Sequence, residues 1–229
     1  MSDQWSPVEV TGDSAIVFEK RAYLIALIGN DGAGKTTQAL RLVEWLRAER
    51  QAAALHRNES LQPIRTALDT VAATMGCRDA EALVGREAAQ LAYVAVKWNA
   101  MVKMRELLGQ EDLYLVVDRY AYCHVASVRS QRLENAAIVE QLFKIFPKPD
   151  VTFYLDVTPE TAIRRMIQRN PHVPPMSRDY LEAHARAYWM LDAAAEFVRV
   201  DGEKSIDEVQ DRLRKEVTRR CLTPSVMSG

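Results

Sequence analysis

A glycine-rich stretch that directly follows a short apolar run constrains this chain more than any other feature. Residues 29–37 read Gly-Asn-Asp-Gly-Ala-Gly-Lys-Thr-Thr and fit the phosphate-loop pattern G-x-x-x-x-G-K-[ST] at every fixed position. The apolar run 23–28 is typical of a buried strand, and Leu40, Val43 and Leu46 then recur at helical spacing. Strand, loop and helix in this order point backbone N–H groups and the positive end of a helix into one concavity, which suits a polyphosphate.

The loop supplies the first candidate site, for a nucleoside triphosphate. Lys35 can reach the outer phosphates, and the Thr36 hydroxyl can ligate Mg²⁺. The alternative is an accidental match in a structural loop, and the flanking strand and helix argue against it. The residues predicted to bind the nucleotide are Gly29, Asn30, Asp31, Gly32, Ala33, Gly34, Lys35, Thr36 and Thr37.

Composition limits the class of protein. A chain of 229 residues that is 48% hydrophobic can bury one full core, and its formal net charge of −1 argues against binding to nucleic acid or an anionic membrane. No apolar run reaches the length of a bilayer span, and residues 1–10 lack the apolar stretch of a signal peptide. The three cysteines have no metal-ligand spacing. We therefore expect a cytoplasmic protein with reduced thiols.

Strand and helix patterns alternate along the rest of the chain. Further strands are predicted at 52–56, 113–117, 151–157 and 197–200, and helices at 36–50, 63–75, 85–108, 136–146, 159–169, 179–195 and 206–217. This alternation favours an α/β three-layer sandwich in which a parallel five-stranded sheet is covered on both faces. We expect residues 21–220 to form one domain and residues 1–20 to form an N-terminal extension.

Asp118 and Arg119 stand at the carboxyl end of the predicted strand 113–117. Ligands of open α/β sheets bind at this end of the strands. An acidic residue there can hold Mg²⁺ through water, and an adjacent arginine can bridge transferring phosphates. The alternative is a solvated turn without a ligand.

A cluster of arginines surrounds the proline-rich break at 170–175. Arg164, Arg165, Arg169 and Arg178 would give a mobile lid around residues 164–180, able to neutralise a transferred phosphoryl group away from water. The alternative is a solvated basic helix face, which is the usual explanation for a run of charge.

These motifs resemble the thymidylate kinase family of phosphate-loop nucleoside monophosphate kinases. Residues 29–38 look like the start of a bacterial member, residues 118–120 match its Asp-Arg-Tyr/Phe motif, and residues 149–160 are similar to its fourth strand and the following turn. The resemblance covers about residues 22–215. It implies Mg²⁺-dependent transfer of the γ-phosphoryl group from ATP to a nucleoside monophosphate, dTMP or a related pyrimidine nucleotide, usually by a homodimer.

The resemblance also implies roles for individual residues. Lys35 and the loop amides would hold the ATP phosphates, Asp31 would lie near the acceptor sugar's 3′-hydroxyl and the metal, and Arg119 and Arg57 would bind the acceptor phosphate. The loop has no basic residue at positions 30–33, and in the family this absence accompanies arginines supplied by the lid. The predicted catalytic residues are Lys35, Asp31, Asp118, Arg119, Arg165 and Arg169, and the predicted metal ligands are Thr36 and Asp118.

The acceptor-base region departs from the family pattern. The family has an aromatic and an arginine four residues apart, where this chain has Tyr93 and Lys97. A lysine cannot reproduce the planar fork of a guanidinium. His124 takes the position of a base contact, and Ser127 replaces an aromatic that would crowd the sugar 2′ position. These changes leave the acceptor open between dTMP and a related pyrimidine nucleotide; drift or a one-residue slip in the match would also explain His124.

Two other functions fit parts of the sequence. One is a kinase of a nucleoside or another small alcohol, which would need no site for an acceptor phosphate. The other is a non-kinase phosphate-loop ATPase or nucleotide-dependent switch. No Asn-Lys-x-Asp guanine-reading motif occurs in the sequence. Lys35, Thr36 and Asp118 are all present, whereas a non-catalytic homologue would more often have lost one of them.

Overall fold

Parallel strands form the centre of the molecule. The structure is a computed structural model that describes residues 18, 20–58 and 61–222, so the predicted N-terminal extension lies almost wholly outside the described residues. Within the described part, the sheet has five parallel strands in the order β2-β3-β1-β4-β5. They are β1 (Tyr23–Ile28), β2 (Ala52–Arg57), β3 (Leu113–Asp118), β4 (Val151–Asp156) and β5 (Val198–Asp201).

Helices connect the strands. They are α1 (Lys35–Ala48), α2 (Gln62–Thr74), α3 (Ala80–Val84), α4 (Arg86–Val102), α5 (Arg105–Leu108), α6 (Ala121–Ser130), α7 (Ala136–Phe143), α8 (Pro159–Arg169), α9 (Arg178–Trp189) and α10 (Ile206–Val217). A 3₁₀ turn spans Asp192–Glu196, and a π turn follows α10 at Thr218–Leu222. None of the described helices is both long and apolar enough to cross a membrane.

The sheet is buried on both faces. Successive side chains of β1 point to opposite sides, so Leu24, Ala26 and Ile28 join a core with α4, α6 and α7. Ile25 and Leu27 join a second core with α1, α8 and α10. All five side chains are completely buried. Two helical layers around one parallel sheet confirm the predicted three-layer α/β sandwich.

Some predicted helix boundaries were wrong. The helix predicted at 85–108 is interrupted after Val102. There the backbone makes a 3₁₀-type hydrogen bond, in which the Met104 N–H donates to the Met101 carbonyl at 3.1 Å. Met101 is completely buried in the core, and Trp98 packs on Phe146 and donates to the Leu142 carbonyl.

Helix α6 has no counterpart among the predicted elements. Its residues Ala121, Cys123, His124, Val125 and Ala126 are all buried. A helix buried on most of its circumference has no apolar stripe against a polar face, so periodicity does not reveal it. Both His124 and Ser127, which sequence resemblance places on the acceptor side, lie on this helix.

The sheet order brings the two phosphate-related motifs together. Strands β1 and β3 are adjacent in the sheet, but the connections that follow them run in opposite directions. The connection after β1 leads to β2 at one edge of the sheet, and the connection after β3 leads to β4 in the other half. Such a reversal opens a crevice at the carboxyl ends of the strands. Leu27 is in register with Asp118, and the Arg119 N–H donates to the Leu27 carbonyl at 3.1 Å. The phosphate loop and the Asp118-Arg119 pair therefore leave the sheet side by side.

Candidate active site

At two positions of the phosphate loop only glycine fits, because the backbone of another element lies directly against the loop. Gly29 has φ +133°, and a Cβ there would lie 2.5 Å from the Leu155 carbonyl oxygen. Gly32 has φ +82°, and its Cβ would lie 2.5 Å from the Ala162 carbonyl oxygen. A side chain at either position would therefore displace β4 or α8 as well as strain the loop.

Lys35 lies buried at the centre of the loop. Its ammonium donates to the carbonyl oxygens of Gly29 at 2.9 Å and Asn30 at 2.7 Å. Burial, reinforced by the nearby charge of Arg119, lowers the pKa of Lys35 to about 8. A polyanion at the loop would favour the charged form of this lysine.

Thr36 and Asp118 form a pair of hard oxygen ligands. The Thr36 hydroxyl donates to Oδ2 of Asp118 at 2.5 Å, and Oδ1 of Asp118 is buried without a hydrogen-bond partner in the described chain. No group of three His, Cys, Asp or Glu side chains among the described residues is placed to hold a metal. Two oxygen atoms, one of them without a partner in the described chain, fit Mg²⁺, which prefers oxygen and takes its remaining ligands from water and substrate phosphates.

Arg119, which directly follows β3, contacts the phosphate loop. Its guanidinium forms an ion pair with the Asp31 carboxylate, and its backbone has φ 75°, which a residue with a side chain rarely adopts. Burial alone would raise the pKa of the Asp31 carboxyl, but the charges of Arg119 and Lys35 hold that pKa well below its usual range. Both partners are consequently charged at neutral pH.

One of the predicted lid arginines contacts the phosphate loop. Arg165 donates to the Gly202 carbonyl at 2.9 Å and contacts the Gly32 carbonyl at 3.5 Å. Arg169 is exposed at the end of α8, and Arg178 forms an ion pair with Glu160. The structure thus brings one arginine of the cluster against the phosphate loop and leaves the others on the surface.

Tyr93, the aromatic residue predicted to stack on the acceptor base, forms a cation–π contact with Arg65. Tyr93 is buried, and the guanidinium of Arg65, from α2, lies 5.0 Å from the centre of its ring. Lys97 lies one turn along α4 and is half-buried. Arg57 ends β2 as an exposed residue in register with Asp118. Sequence reasoning missed Arg65, since nothing in the pattern of α2 marks it.

His124 is neutral and bonds to Asn58. The Asn58 side-chain amide lies 2.6 Å from Nε2 of His124, and this contact orients the imidazole ring. Burial, and to a lesser extent the charge of Lys97, holds the pKa of His124 well below its ordinary value.

Helix α9 contacts the phosphate loop through side chains that sequence reasoning did not select. The Asn30 amide donates to the Leu181 carbonyl at 2.9 Å, and its oxygen lies 3.0 Å from Nδ1 of His184. The Tyr188 hydroxyl donates to the Gly29 carbonyl at 3.2 Å. The side chain of Asn30, predicted as a nucleotide contact, therefore turns away to α9. The sequence did contain a signal for this contact: ring-bearing side chains recur every four residues along α9, at Tyr180, His184 and Tyr188.

Comparison with known proteins gives a consistent result. The family model described as thymidylate kinase matches residues 28–213. A probable thymidylate kinase of Archaeoglobus fulgidus is 30% identical over 200 residues, covering 84% of this chain and 93% of the relative. The human thymidylate kinase is 29% identical over 197 residues, covering 85% and 89%. A probable thymidylate kinase of Methanosphaera stadtmanae is 25% identical over 202 residues, covering 84% and 96%.

Proposed function

The chain belongs to the thymidylate kinase family, and from this membership we propose that it transfers the γ-phosphoryl group of ATP to dTMP, giving dTDP and ADP. It is accordingly a nucleoside monophosphate kinase. The observation that carries the proposal for this chain is the ion pair between Asp31 and Arg119, next to Lys35. It joins a donor-phosphate loop to an arginine that follows a different strand, as transfer between two bound nucleotides requires.

Positioning and charge account for the proposed reaction. The loop amides and Lys35 hold the ATP phosphates, while Arg119 and Arg57 hold the acceptor phosphate in line with them. Asp31, oriented by Arg119, accepts a hydrogen bond from the acceptor sugar. The transferred group needs no covalent attachment to the protein, since alignment and electrostatic stabilisation suffice for phosphoryl transfer.

Thr36 and Asp118 would hold Mg²⁺. Oδ1 of Asp118, which is buried and has no hydrogen-bond partner among the residues described, supports this assignment. When bound, the ion would neutralise charge on the donor phosphates. Arg165, already against the loop, and Arg169, farther along α8, would add positive charge from the lid around residues 164–180.

The acceptor base would lie beside α4 and α6. Tyr93 offers a ring face, and Lys97 and His124 offer polar groups to the base edge. We further propose that residues 21–220 act as one kinase domain and that the domain assembles as a homodimer, as the family resemblance suggests.

An acceptor panel tests this function. ADP formation is measured with ATP and Mg²⁺ alone and then with dTMP, dUMP, dCMP, UMP or thymidine added. We expect ADP to form only with a monophosphate, and fastest with dTMP. Equal ADP formation without any acceptor would instead support a nucleotide-dependent switch, and turnover of thymidine would support a nucleoside kinase.

A further inference from the structure

Arg65 lies in the first turn of α2 and extends toward α4. Its guanidinium carbon lies 5.0 Å from the centre of the Tyr93 ring, and Tyr93 is only 6% exposed. In the proposed function this ring receives the acceptor base. Arg65 therefore already contacts the residue on which the base would stack, although it belongs to none of the motifs that indicate the kinase.

The Arg65 guanidinium touches a ring but no hydrogen-bond acceptor among the described residues. The side chain is half-buried, and its Nε is buried without a partner. Asp69, one turn along α2, accepts instead from the Ala80 N–H at 2.9 Å. A guanidinium has only donors, and a partly buried charge without hydrogen bonds is unfavourable. The side chain is thus short of a ligand that accepts hydrogen bonds.

Helix α2 is lightly attached to the rest of the molecule. Of its 13 residues, all of which the structure describes, only Ala72 is buried. Elements with few buried contacts shift at low cost. The cation–π contact of Arg65 is also weaker than hydrogen bonds from a charged donor. A base that enters beside Tyr93 can therefore displace the guanidinium from the ring and receive its hydrogen bonds in exchange.

We propose that Arg65 is a specificity-determining residue that donates hydrogen bonds to carbonyl groups of the acceptor base; this inference rests on the proposed function. The thymidylate kinase family has an arginine where this chain has Lys97, one turn from Tyr93 on α4. A lysine has no planar fork of donors. Arg65 brings such a fork to the same ring from a different helix, so the site keeps a guanidinium at a new position in the chain.

The donor-only chemistry of Arg65 determines which bases it favours. Thymine presents the O4 carbonyl where cytosine presents an amino group, so thymine accepts a hydrogen bond where cytosine offers a second donor. Two donors that face each other are both left unsatisfied, and a site built for one hydrogen-bond pattern rejects the other. The unaltered protein should therefore prefer dTMP over 5-methyl-dCMP, which differs from dTMP only on the base edge that carries O4 and N3.

The test measures the ratio of kcat/KM for dTMP over 5-methyl-dCMP in Arg65 variants. We expect Arg65→Ala to lower the ratio about 10- to 100-fold, the loss of a hydrogen bond from a charged donor, and to do so through dTMP alone. Arg65→Lys should lose nearly as much, because it keeps the charge but not the fork. Lys97→Arg, added to Arg65→Ala, should restore most of the ratio by returning a guanidinium to the Tyr93 ring.

Two controls separate this role from a structural one. In Arg65→Ala, KM for ATP and Tm should both stay at their unaltered values, since the cation reaches α4 rather than the phosphate loop. Arg105→Ala removes an exposed arginine of α5 and should leave the nucleotide ratio unchanged.

Each result has a definite meaning. An unchanged ratio in Arg65→Ala overturns the inference, and so does an equal loss with both nucleotides, which would place Arg65 on the phosphate or sugar that they share. If that variant does not fold, Arg65→Lys is judged by the same criteria. An unaltered protein that uses both nucleotides equally overturns the inference and leaves the kinase function standing. Failure to phosphorylate any nucleotide would overturn the proposed function and this inference with it.

Discussion

Lys35 is the residue on which donor binding depends most. Its ammonium is buried among backbone carbonyls, where a bound polyphosphate would meet it without further rearrangement of the loop. Lys35→Ala should lower kcat about 10²- to 10³-fold, the usual loss when one preorganised charge stabiliser is removed. Coupled measurement of ADP formation checks this. Lys144→Ala, at an exposed lysine after α7, is the control, and normal activity of Lys35→Ala would contradict the assignment.

The lowered pKa of Lys35 predicts a pH dependence of ATP binding. The free loop loses this proton as pH rises through about 8, while bound phosphates favour the protonated form. Affinity for ATP should therefore be constant below pH 7 and fall about tenfold by pH 9, one pKa unit above the midpoint. Titration calorimetry at several pH values measures it. In Lys35→Arg the charge persists throughout, so an equal decline in that variant would refute the explanation.

Arg119 binds through a planar fork that lysine does not have. Arg119→Lys keeps the charge but loses at least one charge-assisted hydrogen bond, about 1.5–3 kcal/mol. We expect kcat/KM for dTMP to fall about 10- to 100-fold, mostly through KM for dTMP, with KM for ATP nearly unchanged. Steady-state kinetics with each substrate varied separates the two effects. Arg105→Lys, at an exposed arginine of α5, should leave both constants unchanged.

At the scale of elements, the contact between α9 and the phosphate loop depends on a buried histidine. His184→Ala leaves the Asn30 oxygen without its partner, which should lower the free energy of unfolding by about 1–3 kcal/mol. Urea denaturation measures the change. His172→Ala makes the same substitution at an exposed position between α8 and α9 and should have almost no effect. Equal destabilisation by both variants would mean that the hydrogen bond contributes nothing.

Elements with a clear apolar period were predictable, and the others were not. Strands β1, β3 and β4 are short, mostly apolar runs, so their positions follow from the sequence. Helix α6 is buried nearly all round and was missed for that reason. The Asn30–Leu181 contact joins residues 151 positions apart, and no local pattern carries such a pairing. The strand–loop–helix arrangement of the donor loop was therefore predictable, while its support by α9 was not.

At the scale of the whole molecule, alternation of strands and helices predicts the class of fold but leaves the strand order open. Placing β1 between β3 and β4 is what brings Asp31 and Arg119, 88 residues apart, into one ion pair. The resemblance assigned both residues to the acceptor site, but it did not predict the ion pair between them. It gave no basis for Arg65 or His184, which contact Tyr93 and Asn30 from helices outside those motifs.

Ligands that bridge several elements should stabilise the whole domain. At 100 times the dissociation constant, a ligand adds about 2.7 kcal/mol to the free energy of unfolding. A non-hydrolysable ATP analogue with Mg²⁺ should therefore raise Tm by roughly 5–10 °C for a domain of this size. Thermal unfolding monitored by circular dichroism measures the shift. Lys35→Ala should retain its Tm without ligand but show a much smaller shift, and an undiminished shift would contradict nucleotide binding at the loop.

The close approach of Gly32 to α8 has a mechanical consequence. A Cβ at Gly32 would lie 2.5 Å from the Ala162 carbonyl oxygen and 2.8 Å from its Cα, so the loop and the first turn of α8 have no clearance between them. The start of α8 cannot slide or rotate without deforming the loop. Any motion of the lid is therefore confined to the connection 170–177, while Arg165 stays against the loop as part of its rigid frame.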